Sequence, residues 1–113
     1  MTPLARRELL PGVLDMLILQ TLTGGPMHGY GIARQIEQLS REVLRIEEGS
    51  LYPALQRMRQ KRWVSASWGQ TPNNQRARYY TLTDLGRRQL AAEASRFEEL
   101  WSAIGRVMKP AKG

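Results

Sequence analysis

Ser50, Tyr52, Gln56 and Arg57 lie within EEGSLYPALQRMRQKRW, residues 47–63, together with Arg59, Lys61 and Arg62. Two hydroxyls, an amide and several cations on a short helical span make a set of donors and acceptors suited to hydrogen bonding along a polyanion. Chemistry that breaks bonds or holds metals needs other residues. With no cysteine in the chain, disulfides and thiolate metal sites are excluded, and a single histidine, His28, argues against zinc or haem. His28 stands in HGYG and reads as a helix-start residue. Glu47 and Glu48 are adjacent, so on a helix they do not face each other as a general acid and base would, and carboxylates at a helix start have a structural explanation. Ser50 has no candidate base nearby in sequence, and GGPMHGYG has neither the spacing nor the Lys-Ser/Thr ending of a phosphate-binding loop. No catalytic residue, metal ligand or cofactor is assigned.

The charge supports a polyanionic partner once it is located. The net charge is +7 over 113 residues. Residues 57–88 hold eight basic residues, Arg57, Arg59, Lys61, Arg62, Arg76, Arg78, Arg87 and Arg88, against the one acid Asp84, while the remainder has nine of each sign. All of the net charge therefore sits in one block.

A chain of this length makes one domain with a modest core, and its elements can be read from periodicity. Leu10, Val13, Leu14, Leu17, Ile18, Thr21 and Leu22 recur at the spacing of one helix face, entered at Pro11 and ended by TGGP. A second helix is expected over about Gly29–Ser40, from Tyr30, Ala33, Ile36 and Leu39, and REVLRI reads as a short extended link. The third helix faces Leu51, Ala54, Leu55 and Met58 inward. Pro53 lacks an amide proton and belongs in or near a first turn, so this helix should start at about Gly49 or Ser50, with Ser50 as cap. Val64, Ala66 and Trp68 alternate with serines, and Tyr80 and Leu82 with Tyr79 and Thr81, which predicts a hairpin joined by the long basic connection GQTPNNQR. Trp63 and Trp68 read as hairpin core in preference to base-stacking platforms. Thr83 and Asp84 then open a long helix running to Lys109-Pro110.

Helix, helix, short link, helix, basic hairpin, helix is the order of a winged helix-turn-helix domain, in which the third helix enters the major groove and the wing lies along backbone or minor groove. The fold class is therefore mainly α with a small β-hairpin, and the last helix extends beyond it. The expected organisation is a DNA-binding domain over 1–83, a dimerisation helix over 84–109 and a tail over 110–113. On the third helix Ser50, Tyr52, Gln56 and Arg57 face outward. Gln56 and Arg57 are candidates for base edges, Tyr52 for the backbone through its hydroxyl, and Arg59, Lys61, Arg76 and Arg78 for phosphate contacts that supply affinity more than sequence choice.

The chain also resembles the PadR-like transcriptional regulators. LLPGVLDMLILQTL, HGYGIARQI, EEGSLYPALQRM, RARYYTLTDLGRRQL and the terminal helix with Trp101 carry the resemblance, in order and over nearly the whole chain. It implies a bacterial dimeric repressor of the shorter subgroup, with one C-terminal helix, similar to acidobacterial-type members. A cytoplasmic location fits, because no apolar run approaches the roughly 20 residues of a membrane span and MTPLARRELLPG lacks the apolar core of a signal peptide.

From Thr83 to Met108 the terminal helix would span about 39 Å, more than one small domain can cover. Leu90, Ala94, Phe97, Leu100, Trp101, Ile104, Val107 and Met108 form an apolar stripe along it. A homodimer burying Leu90, Phe97, Leu100, Trp101, Ile104 and Met108, with Leu14 and Ile18 of the first helix, solves this and presents two recognition helices to a palindromic duplex. Phe97 and Trp101, one turn apart, could alternatively line a pocket for a small apolar effector. A different class of function, an RNA-binding or protein-interaction module using the basic hairpin, predicts no preference for palindromic duplex DNA.

Overall fold

Residues 12–109 are described by the computed structural model, so the expected helix entry at Leu10 and Pro11 and the tail over 110–113 lie outside the described residues. The first helix, α1, runs Val13–Thr21 and buries Ile18 and Leu19. After a tight turn, Met27–His28 forms a short strand, β1, followed by α2 at Gly29–Leu39. His28 caps α2: its Nδ1 accepts the Gly31 amide at 3.1 Å, which satisfies one of the orphan donors of the first turn. The helix buries Ile32, Ala33 and Ile36, whereas Tyr30 and Leu39, which share the expected period, are 67% and 75% exposed.

The link to the third helix is held by Glu37. Its carboxylate accepts the Ile46 amide at 3.2 Å while pairing with Arg34 at 3.4 Å, and Arg41 and Glu42 turn the chain in the left-handed region, at φ 54° and 65°. Helix α3 then spans Glu48–Gln60, with Glu47 and not Ser50 at its N-cap. Pro53 is thus the sixth helical residue rather than a first-turn one. A proline there removes a hydrogen bond and crowds the carbonyl four residues back, here that of Gly49 on the exposed side of the helix. Burial of Leu51, Ala54, Leu55 and Met58 on the opposite side outweighs this local cost.

Strands β2, Val64–Gln70, and β3, Arg76–Leu82, pair antiparallel with Val64 opposite Leu82 and Gln70 opposite Arg76. They run further than the sequence predicts and leave only residues 71–75 as the turn. That turn is closed by the Thr71 amide donating to the Gln75 carbonyl at 2.8 Å, with Asn74 in the left-handed region. β1 adds a third strand, Met27 opposite Tyr80, giving the order β1-β3-β2. Val64, Tyr80 and Leu82 are buried on one sheet face against the helices.

Helix α4, Asp84–Met108, begins at Thr83, whose hydroxyl accepts the Gly86 amide at 3.0 Å as expected of a cap. Its first turns pack on the domain through Gly86 and Leu90, the helix then runs beside α1 as far as Phe97 and Leu100, and its last turns are exposed. The architecture is a winged helix-turn-helix with a long C-terminal helix.

Candidate nucleic-acid interface

The outward side of α3 and the inner side of the wing enclose one open groove of about 1000 Å³. Tyr52 and Gln56 rise from α3, His28, Tyr30 and Arg34 come from the start of α2, and Trp68, Arg76 and Arg78 from the wing. Residues that are far apart in sequence meet here because β1 ties the start of α2 to β3. Tyr52 lies close against the backbone of Gly29, where even a methyl group would come within 2.7 Å of its ring. Partial burial, then the charge of Glu48 and the neighbouring Tyr80, raises its pKa above the usual tyrosine value. Tyr52 therefore stays a neutral phenol, able to donate to a phosphate oxygen.

The other expected contacts divide by position. Gln56 faces the groove; Arg59 is half-buried on the same helix, its Nη2 3.5 Å from the Gln56 amide oxygen. Lys61 lies 4.7 Å over the Trp63 ring at the end of the helix. Arg57 does not point into the groove: its guanidinium is 2.6 Å from the Asp15 carboxylate of α1, on the other flank of α3, and half-buried Ser50 is not among the groove-lining residues. A base-reading role for Arg57 would require it to leave that pair. Sequence reasoning placed no groove role on His28, Tyr30 or Arg34. The tyrosine of HGYG is the available signal, but its spacing from Ala33 and Ile36 gives it the period of a core residue.

Trp68 also departs from expectation. It is on the same sheet face as Val64 and Leu82, yet 58% exposed, with the guanidinium carbons of Arg76 and Arg78 at 4.7 and 5.6 Å from its ring centroid. The core ends before the wing does.

Along α4, Phe97, Leu100, Trp101, Ile104, Val107 and Met108 are all exposed, and Phe97 and Trp101 stack with centroids 6.1 Å apart. Phe97 lines a hollow of about 350 Å³ with Gly12, Val13, Met16 and Leu100; Trp101 does not line it. Leu14 and Leu90 are partly buried against the core. Ile18 is fully buried inside the protomer and has no surface to give a partner, which removes it from the expected dimer contacts.

Among the described residues no group of acidic, histidine or cysteine side chains could hold a metal, and no helix is long and apolar enough to cross a membrane. The chain is 40% identical over 97 residues to an uncharacterized 37.1 kDa protein in transposon TN4556 of Streptomyces fradiae, a match spanning 86% of this chain and 26% of that protein. A transcriptional regulator from Clostridium thermocellum superposes with a TM-score of 0.79 at 26% identity, covering 87% of this chain and 95% of the other. A PadR family transcription regulator from Clostridium difficile does so at 0.74 and 27% identity, covering 87% and 100%. Residues 18–92 match the transcriptional regulator PadR-like family. The basic wing, the groove it forms with α3 and this match agree: the chain belongs to the PadR-like family of transcriptional regulators and is a DNA-binding regulator, not an enzyme.

Proposed function

We propose that the protein is a cytoplasmic repressor that binds a palindromic operator as a homodimer, with α3 in the major groove and the wing against the adjoining backbone and minor groove. The observation that carries this reading is the groove itself. It joins the exposed side of α3 to the wing, and Arg76 and Arg78 of the basic block, with Arg34 of α2, bring positive charge to its walls. Two-fold pairing through α4 would set two such grooves on one face, and half-sites about one helical turn, roughly 34 Å, apart are the natural target. The apolar stripe supports the pairing. The stacked Phe97 and Trp101 fit helix packing in such a dimer, and a small apolar effector would have to enter beside them.

Selection of duplexes from a random library by the purified protein tests the proposal, and inverted repeats are the expected product. On a selected duplex Gln56→Ala should cost roughly 1 to 3 kcal/mol, but much less on a scrambled one at the same salt concentration. Equal losses on both would confine Gln56 to the backbone, and a library that yields no enriched repeat would remove the palindromic reading.

A further inference from the structure

An exposed tryptophan on a narrow hairpin needs a reason. Trp68 lies directly across the ladder from Arg78 and diagonally from Arg76, so strand pairing brings both guanidinium groups to one ring. Neither arginine has a carboxylate partner among the described residues. The Nε of Arg78 is enclosed without a hydrogen-bond partner, so stacking on the ring and not an ion pair sets where this cation stands. All three side chains line the groove that α3 completes. Arginine suits this arrangement because its planar guanidinium stacks on an aromatic face and is less strongly hydrated than an ammonium group. Narrow minor grooves, found in A-tracts, concentrate negative potential and draw in arginines, whereas phosphates attract any cation alike.

We propose that Trp68 is a specificity-determining positioning residue, which holds Arg76 and Arg78 as a paired probe of minor-groove width, so that the protein selects operators whose half-sites adjoin narrow, A·T-rich duplex. The sequence pattern alone assigned these arginines to phosphate; the shared aromatic ring is what gives them a shape to select. This inference rests on the repressor reading above, and the experiment separates the two.

A duplex selected from the random library is remade with the base pairs beside each half-site as an A-tract, as alternating G·C, or as alternating inosine·C, which keeps the major-groove edge of G·C but lacks the minor-groove amino group. Fluorescence anisotropy titrations at fixed salt should show the wild type binding the A-tract and inosine·C duplexes about tenfold more tightly than G·C. The ratio should fall to about twofold or less in Trp68→Ala and in the doubly substituted Arg76→Lys, Arg78→Lys protein, and should largely survive in Trp68→Phe. Melting temperatures near the wild-type value would show that the exposed substitutions leave the fold in place. Equal wild-type affinities for the three flanks, inosine·C behaving as G·C, or a flank ratio unchanged by Trp68→Ala would each overturn the inference while leaving the repressor reading intact. A wild type that enriches no sequence from the library would overturn both.

Discussion

If the protein pairs through α4 as proposed, replacing Trp101 by Asp and Ile104 by Glu should yield a monomer or insoluble material, and should abolish tight binding to a two-half-site duplex. The residues Phe97, Leu100, Trp101, Ile104, Val107 and Met108 follow a spacing of three and four along α4, so they form one seam rather than scattered exposure, and Trp101 and Val107 are 65% and 81% exposed in the single chain. Full burial of a side chain of this kind is worth about 1.5 to 3 kcal/mol, and the seam would bury each residue twice in a symmetric pair. Placing a carboxylate in the seam replaces that gain by the cost of desolvating a charge beside its own symmetry mate. The single variant Trp101→Glu is a milder form that should weaken the dimer without precipitating it. Light scattering on both variants is the measurement, and an unchanged dimer mass would place the interface elsewhere. Loss of the dimer should leave each half-site weakly bound, because the second contact no longer benefits from a high local concentration.

Periodicity revealed which way side chains point, but not what stands opposite them. The alternation in VSASW and RYYTL placed Val64, Tyr80 and Leu82 on the buried face, and these are indeed core. Trp68 obeys the same alternation and is exposed, since the wing extends past the last helix able to cover it. Tyr30 and Leu39 share the period of Ala33 and Ile36 for the same reason and are exposed at the two ends of α2. On α1 the pattern could not separate Ile18, enclosed by the domain's own core, from a residue available to a second copy. Two further features lay beyond local signals. β1 has only the two residues Met27 and His28 and exists because the edge of β3 pairs with it. The partner of Arg57 is Asp15, 42 residues away, and no spacing rule links them.

Helix starts show the opposite case, in which local chemistry was partly legible. Thr83 was recognisable as a cap and acts as one. At α3 the preference for proline in a first turn points to Ser50, yet the helix begins at Glu48, and burial of Leu51, Ala54, Leu55 and Met58 offsets the cost of Pro53 inside it. The interface was legible to the extent that it lies on α3 and the wing. Its third wall, from His28 to Arg34, depended on β1 and was hidden with it.

Gly86→Ala should destabilise the protein by several kcal/mol, although helix propensity alone predicts a gain of about 1 kcal/mol for replacing a helical glycine by alanine. A Cβ on Gly86 would stand 2.1 Å from the carbonyl oxygen of Trp63 and 2.8 Å from Leu82 Cδ1. That carbonyl cannot easily retreat, since it accepts the Thr83 amide at 3.1 Å and lies 2.9 Å from the Thr83 hydroxyl that caps α4. Relief therefore requires moving the base of the wing or the start of α4, each of which would open the contact between them. Overpacking a rigid site costs typically 1 to 3 kcal/mol, and a contact this short against backbone belongs at or above the upper end of that range. The penalty exceeds the propensity gain and is a large share of the roughly 5 to 15 kcal/mol that holds a small domain folded. At Gly105 of the same helix an added methyl group would meet nothing within 4 Å, so Gly105→Ala isolates the propensity effect and should leave stability equal or slightly raised. Urea unfolding of the two variants, followed by circular dichroism at one protein concentration, decides between the effects. A Gly86→Ala midpoint at or above that of the wild type would mean that the junction between α4 and the wing can yield, and that Gly86 is not what fixes the long helix to the DNA-binding domain.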